Sequence, residues 1–301
     1  LAGRALYVKQ GKGKKRALKV LVTGAGGMVA RAVAEHCTRY GDEVTAYDRQ
    51  GLDITDPAAV GATFKRDAPE VVINCAAWTD VDGCESDPLR AFEVNARAVE
   101  TLALNSRSCG ARFITISTDF VFDGTKDGFY TQRDDPNPLS VYGQSKLRGE
   151  RAAQMAYART IVVRTGWIFG IGGRNFLSTV IERARRGEHL KTIGDAYGTP
   201  TYAPDLAARL RDLVELDLPG VYHVVNGGAG VSYEEFTRAA INVAGVGASA
   251  ELESVSMDTL QRPAPRPRNS RLRCLLSEAT GLPALPDWEA ALGVFAEQTL
   301  R

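Results

Sequence analysis

Tyr142 and Lys146 stand four residues apart in YGQSK, a spacing that puts two side chains on one helix face, one turn from each other. A phenol ordinarily titrates at about pH 10 and exchanges protons poorly at neutrality. An ammonium group beside it favours the phenolate and lowers that pKa. Such a pair can give a proton to a carbonyl oxygen as hydride reaches the carbon, and take it back from the alcohol in the reverse direction. Lys146 would also hold ribose hydroxyls of a cofactor, which puts both Tyr142 and Lys146 at a cofactor as well as at a substrate. Upstream, Ser117-Thr118-Asp119 ends an apolar run, ARFITIST. The Thr118 hydroxyl would hydrogen-bond the substrate oxygen and stabilise charge developing on it. Asp119 is read in two ways, as a wall of the substrate pocket or as a turn cap.

A redox partner for that chemistry is suggested by VTGAGGMVA, where Gly24, Gly26 and Gly27 separate an apolar strand from a helix. Gly24 permits a tight turn, Gly27 lets backbone approach a pyrophosphate, and free amides at the helix start can receive its oxygens. Met28 and Val29 open that helix. Asp48 closes the next strand and could accept hydrogen bonds from an adenosine ribose. Alone it would repel the extra phosphate of NADP, but Arg49 follows and could neutralise it, so NADH and NADPH both stay open. Ala77, Trp78 and Thr79 follow the third strand at its crevice end. Trp167, after VVRTG, is expected to cover a ring or sugar face. Arg266 and Arg268, in the proline-stiffened RPAPRPRNS, are read in two ways, as ligands of a phosphate or as a solvated loop whose arginines pair with acids. Asn95 is left between a residue that binds a water or shapes local hydrogen bonding near the site and a helix-surface residue.

These residues need a scaffold that gathers strand ends, and the chain supplies one. Short apolar strands (LKVLVTG, EVTAYD, PEVVINCAA, ARFITIST, TIVVRTG) alternate with helix-patterned stretches. The expected fold is α/β: a doubly wound, Rossmann-like parallel sheet with a smaller C-terminal α/β substrate-binding lobe. Residues 18–170 would form the dinucleotide-binding domain and 171–301 mainly the substrate lobe, with some of its strands free to rejoin the main sheet. A long helix is expected over Pro88 to Arg107, another over Leu139 to Ala158, and an amphipathic one near the end. Residues 1–17 carry six basic residues and no acid, and read as a disordered leader.

The formal net charge is +1, so nothing global calls for a nucleic-acid partner. No run approaches the ~18 apolar residues of a membrane span. Five widely spaced cysteines without a CxxC, and three histidines, suggest neither a disulfide framework nor a zinc site. A cytoplasmic setting fits best.

At these residues the chain resembles the extended short-chain dehydrogenase/reductases, and more narrowly the dTDP-4-dehydrorhamnose reductase family. The resemblance runs from about Leu18 to the last helix through LVTGAGGMVA, LDITDPAAV, VVINCAAWTDVDGCE, FEVNA, ISTDFVFDG, NPLSVYGQSKLRGE, VVRTGWIFG, GTPTYAPDLA and RPAPRPRNSRL. It implies NADH- or NADPH-dependent reduction of the 4-keto group of dTDP-4-dehydro-6-deoxy-L-mannose to dTDP-L-rhamnose. Tyr142 would be the proton donor, Lys146 its electrostatic partner, Thr118 a ligand of the substrate oxygen, and Asp119 and Trp167 contacts of the sugar. Homodimers and Mg2+ near their interface occur in the family, but no metal ligands can be named here. Reduction of another dTDP-4-keto-deoxysugar, or a non-catalytic regulatory subunit that binds cofactor, are the alternatives. Departures from the family pattern are Ala30 for a third glycine, Met28, Phe120 for a tyrosine, and Gly166 within Thr165-Gly166-Trp167. The last two bear on sugar specificity.

Overall fold

The protein is described by a computed structural model for residues 16–173, 175–246 and 251–299. Six parallel strands make the main sheet: β1 (Lys19–Thr23), β2 (Glu43–Tyr47), β3 (Val71–Asn74), β4 (Arg112–Thr118), β5 (Thr160–Thr165) and, after a long excursion, Gly220–His223. Strands buried on both faces have no solvent side to alternate towards, which is why their sequences read as continuous apolar runs. Alternate residues still go to opposite layers. Val20, Val22, Ile73 and Ile114 pack on one face with Val33 of α1 (Met28–Tyr40). Leu21, Val72 and Phe113 pack on the other, against Phe64 of α2 (Pro57–Asp67) and Ala153 of the helix Val141–Ala156.

The strand order is β2-β1-β3-β4-β5 followed by Gly220–His223, so the winding direction reverses between β1 and β3. In such sheets the crevice beyond the carboxyl ends at the reversal is where ligands bind. The turns after β1 and β3 meet there. Gly24 has φ +78°, and a Cβ on it would lie 2.8 Å from the backbone nitrogen of Ala76. Only glycine tolerates both that conformation and that approach.

The stretch expected as one helix over Pro88 to Arg107 is interrupted. Two short helices, α3 (Val81–Ser86) and α4 (Pro88–Phe92), lead into a π-turn at Glu93–Arg97 and then α5 (Ala98–Cys109). The helix bearing Tyr142 and Lys146, α6 (Val141–Ala156), starts two residues later than expected because the Ser140 hydroxyl caps it by accepting from the Gly143 amide.

Beyond β5 the chain builds a second, smaller core from Phe169, Leu177, Phe236, Trp288, Leu292 and Phe295. It includes α7 (Phe176–Arg185) and two paired strands, Leu190–Ile193 with Leu252–Val255 in parallel. Between these segments the chain returns to the large sheet. Helix α8 (Ala203–Leu216) lays Leu206, Leu210 and Leu213 on the α1 side, and Gly220–His223 extends the sheet beside β5. A buried ion pair fastens α8 to the loop after α1: Arg211 Nε donates to Asp42 Oδ2 at 2.6 Å and Nη2 to Oδ1 at 3.2 Å. Asp42 Oδ1 also accepts from the Leu18 amide. Residues 1–15 of the basic leader lie outside the described residues, and Arg16 pairs with Glu70 at 2.8 Å. No helix among the described residues is long and apolar enough to cross a membrane.

Removing one partner of a buried pair strands the other charge, at a cost of about 3–5 kcal/mol. Asp42→Ala is therefore expected to lower unfolding free energy by about that amount in urea titration. A loss below about 1 kcal/mol would show that the pair does not hold α8.

Candidate active site

The turns after β1, β2 and β3 line a cleft of about 730 Å³ at the reversal point. Every residue predicted for the cofactor, apart from the catalytic pair, borders it: Gly24, Gly27, Met28, Val29, Asp48, Arg49, Ala77, Trp78 and Thr79. Helix α1 begins here at Gly27 with no side-chain cap and no acid in its first turn. Its first amides therefore form an uncontested anion site, which fits a dinucleotide pyrophosphate. A Cβ on Gly26 would meet only open space. Asp48 Oδ1 already accepts from the amides of Gln50 and Gly51, at 3.0 and 2.9 Å. Arg49 lies 3.7 Å from Asp53. The cleft is also bordered by Asp53, Ile54 and Thr55, from the LDITD segment, and by Arg90 and Ile168. Sequence reasoning gave none of these a site role. LDITD was visible as a conspicuous segment, whereas Arg90 announces itself only in three dimensions, stacked over the Trp78 ring at 4.4 Å.

Trp78 joins this cleft to the reactive pair, since its ring also belongs to the apolar cluster around Tyr142, Cys84 and Phe120. Its loop is pinned by Asn95, which is fully buried. Asn95 Oδ1 accepts from the Trp78 amide at 2.8 Å, while Nδ2 donates to the Trp78 carbonyl and to Ser145 Oγ, both at 3.0 Å. Ser145 Oγ donates in turn to the Tyr142 carbonyl at 2.8 Å. Asn95 is thus not a surface residue: it shapes the local hydrogen bonding near the site, as a brace between the cleft loop and α6. The π-turn that presents it explains why helical periodicity did not reveal it.

Tyr142, Thr118, Asp119 and Lys146 come together at the carboxyl end of β4, all 8 % exposed or less. The Thr118 hydroxyl donates to Asp119 Oδ1 at 3.0 Å and is near enough to the phenol to pull its pKa down in part. Phe120 packs edge-on against the Tyr142 ring, with centroids 5.9 Å apart. Lys146 Nζ donates to the Ile116 carbonyl at 2.7 Å. One expectation is corrected here. Burial, with Asp119 and Cys84 adding to it, pushes the phenol above its ordinary value, and Lys146 is not among the groups acting on it. The ammonium is committed to a backbone carbonyl. Burial pulls Lys146 itself down to about 8, opposed by Glu150. In this arrangement the tyrosine is held as a protonated acid.

Asp119 is the most constrained of the four. Its Oδ2 is buried without a hydrogen-bond partner among the described residues. Burial pushes the carboxyl up to about 6, against the pull of hydrogen bonds from Ser270 and Thr118. The space it occupies exists because residue 166 is glycine: a Cβ there would lie 2.5 Å from both Cγ and Oδ2 of Asp119. Gly166 therefore does not leave a hole beside the pocket; the Asp119 carboxyl fills it.

Trp167 adopts φ +50°, unusual for a bulky residue, and stacks on Tyr233 with ring centroids 3.7 Å apart. Both rings border a second, much smaller cavity with Phe120, Ser270, Arg262 and Arg266. Arg266 faces this cavity. Arg268 is not among its lining residues; it is exposed and paired with Asp195 at 2.7 Å and with Asp258. The sequence reading treated the two arginines alike, and the structure separates them. It also brings in Tyr233 and Arg262, which were not singled out. Among the described residues, no three His, Cys, Asp or Glu side chains are grouped to hold a metal ion.

Residues 18–301 match the family described as RmlD substrate binding domain. A dTDP-4-dehydrorhamnose reductase of Streptomyces griseus is 38% identical over 278 residues, covering 90% of this chain and 91% of that one. The spore coat polysaccharide biosynthesis protein SpsK of Bacillus subtilis (strain 168) is 34% identical over 280 residues, covering 93% and 97%. Among solved structures, a dTDP-4-dehydrorhamnose reductase from Bacillus anthracis str. Ames in complex with NADP superposes with a TM-score of 0.91 at 31% identity, over 94% of this chain and all of that one. The ortholog from Clostridium acetobutylicum ATCC 824 gives the same TM-score at 34% identity and the same coverage.

A carboxyl whose pKa rises from 3.8 to about 6 on folding keeps its proton longer in the folded state. Stability then falls as pH climbs between those values, and the penalty is complete above the higher one. At about 1.4 kcal/mol per pKa unit, the penalty amounts to roughly 3 kcal/mol. Asp119→Asn cannot ionise and escapes it. Its stability relative to the parent protein is therefore expected to improve by about that amount between pH 4 and pH 7 in urea or thermal unfolding. A difference that stays flat across this range would mean that the carboxylate is not desolvated.

Proposed function

The chain belongs to the dTDP-4-dehydrorhamnose reductase family, and from that premise we propose that it reduces the 4-keto group of dTDP-4-dehydro-6-deoxy-L-mannose to give dTDP-L-rhamnose, with Tyr142 supplying the proton. As a member it is an NAD(P)-dependent oxidoreductase acting on dTDP-4-keto-deoxysugars. The observation that carries the finer reading is the buried phenol of Tyr142 at the end of β4 with Thr118, one indole away from a cleft suited to a dinucleotide.

A reduced nicotinamide in the cleft supplies the hydride. The uncapped start of α1 would receive the pyrophosphate. Asp48, with Oδ1 engaged in its own turn, would offer Oδ2 to ribose hydroxyls. Arg49 would balance a 2′-phosphate, so NADH and NADPH are both acceptable. Ala77 to Thr79, braced by Asn95, would form the opposite wall.

At the reacting end the chain's task is to deliver one proton and bear one developing charge. Tyr142 holds its proton against ionisation because burial and Asp119 disfavour phenolate. That keeps the proton on the phenol at neutral pH, and its release to the substrate oxygen would need positive charge brought close to the phenolate as it forms. The Thr118 hydroxyl would turn from Asp119 to hydrogen-bond the same oxygen. Lys146, one turn away on the same helix face, would provide positive charge as phenolate forms and would hold the nicotinamide ribose. The sugar would lie between β4 and the smaller lobe, against Asp119 and Trp167. Residues 18–170 would then serve mainly the cofactor, and the later segment mainly the substrate.

The test follows NAD(P)H oxidation with dTDP-4-dehydro-6-deoxy-L-mannose, with the product identified by mass and NMR. Tyr142→Phe is expected to lower kcat by about 10²- to 10⁴-fold while leaving cofactor affinity unchanged. A loss of only about twofold would remove Tyr142 as proton donor, and faster turnover of a different dTDP-4-keto-deoxysugar would replace the substrate.

A further inference from the structure

The short helix α3 touches the cofactor cleft, the start of α6 and the proline-stiffened loop at residues 262–268. Towards the cleft, Cys84 packs in one apolar cluster with Trp78 and Tyr142. Towards α6, Glu85 Oε1 accepts from the Val141 amide at 2.7 Å. Towards the loop, Asp82 takes a two-point contact from Arg266, Nη1 to Oδ1 at 3.1 Å and Nη2 to Oδ2 at 2.8 Å. Asp82 Oδ1 also accepts from the Ala264 amide at 3.1 Å. The helix itself is capped by Asp80, whose side chain accepts from the Gly83 amide at 3.0 Å.

The bond from Glu85 reaches the residue immediately before Tyr142. The first amides of a helix have no partner within it. In α6 the Ser140 hydroxyl takes the Gly143 amide and Glu85 takes that of Val141. A carboxylate at this end is also favoured by the helix dipole. The Tyr142 ring lies among Cys84, Ala91, Trp78 and Phe120. Apolar contacts of that kind are non-directional. The setting of the phenol oxygen therefore follows the backbone of the first turn, which Glu85 ties to a neighbouring element. Glu85 is not among the groups acting on the phenol's charge, so its effect is one of place.

Asp82 stands three residues before Glu85, one turn away on the same helix. The loop it holds carries Arg266 and Pro267, which border the second cavity with Phe120 and Trp167. One turn of helix thus fixes both the start of the tyrosine's helix and a loop of the smaller lobe.

We propose that α3 is the spacer between proton donor and substrate-side loop, with Glu85 a positioning residue for Tyr142 and Asp82 one for residues 262–268. This rests on the reductase reading above.

The experiment compares the full chain with Glu85→Ala, Glu85→Gln, Val141→Pro and Asp82→Ala. It measures keto-sugar kinetics, NADPH binding by fluorescence, and NMR of ζ-carbon-labelled tyrosine, in which the signal missing from Tyr142→Phe belongs to Tyr142. Small misplacements of a reacting group are costly, so Glu85→Ala is expected to lower kcat about 10- to 100-fold, with sugar KM and NADPH affinity within about threefold. The Tyr142 signal should shift. Glu85→Gln keeps an acceptor oxygen and should restore both rate and signal. Val141→Pro deletes the donor yet suits the first helical position, and should behave like Glu85→Ala. Asp82→Ala should instead raise the sugar KM about tenfold with little change in kcat. Folded Glu85→Ala and Val141→Pro proteins with parental kcat and an unmoved Tyr142 signal would overturn the proposal, as would a Glu85→Gln protein no better than Glu85→Ala. An Asp82→Ala protein with parental KM would remove the role of Asp82. A parent protein that reduces no keto sugar would overturn the reductase reading, while the Tyr142 signal would still decide whether Glu85 places the phenol.

Discussion

The site depends on how closely the backbone of α6 approaches its neighbours. Two of its residues, Gly143 and Gly149, have no room for a side chain. A Cβ on the first would collide with the Phe120 carbonyl oxygen after β4, and one on the second with the Asn95 carbonyl in the π-turn. Three pieces of chain are thereby pressed together: the carboxyl end of β4, the first turns of α6 and the segment carrying Asn95. Tyr142 then lies against Thr118, and Lys146 reaches the carbonyl of Ile116 two residues earlier in the same strand. A wider helix-to-strand spacing would separate the phenol from the hydroxyl and admit water between them.

That compression has an electrostatic consequence. Burial is the largest influence on Asp119, Tyr142 and Lys146 alike, and in each it favours the uncharged form. Asp119 and Lys146 are thereby moved towards neutrality and change protonation at smaller cost than exposed counterparts would, whereas Tyr142 is moved away from it. Beneath them, Arg164 and Glu150 form a buried two-point pair, with the Ser117 hydroxyl also donating to Glu150. Glu150 supports the charge on Lys146 from the next turn of α6. The site therefore sets three desolvated ionisable groups above one self-neutralised pair.

Much of this was readable in the chain because it is local. A glycine turn between strand and helix, a Tyr–Lys spacing of one helical turn, and strands without a polar face each encode their geometry within a few residues. The parts that escaped reading depend on distant segments. Pairing with acids was one of the two readings of Arg266 and Arg268, but nothing near them in the chain names Asp82 and Asp195 as the partners. The fate of Lys146 could not be read either, because its nearest acceptor is a backbone carbonyl in β4, not the phenol. Asn95 was hidden by the π-turn, which shifts residues out of helical phase. Gly166 looked like a missing side chain; its meaning emerges only when the Asp119 carboxyl is found in the vacated volume.

The return of α8 and Gly220–His223 to the large sheet bears on how the polypeptide can be divided. A fragment ending near residue 170 would keep every strand from β1 to β5, yet it would lose the neighbour of β5 and the apolar cover that α8 provides over Val20, Val22 and Val33. Its β5 would then be an unprotected edge, six residues long and entirely nonpolar or desolvated in the intact fold, the kind of edge that recruits other chains into intermolecular pairing. On that side, then, the sheet is closed only by a strand and a helix that lie beyond residue 200 of the chain.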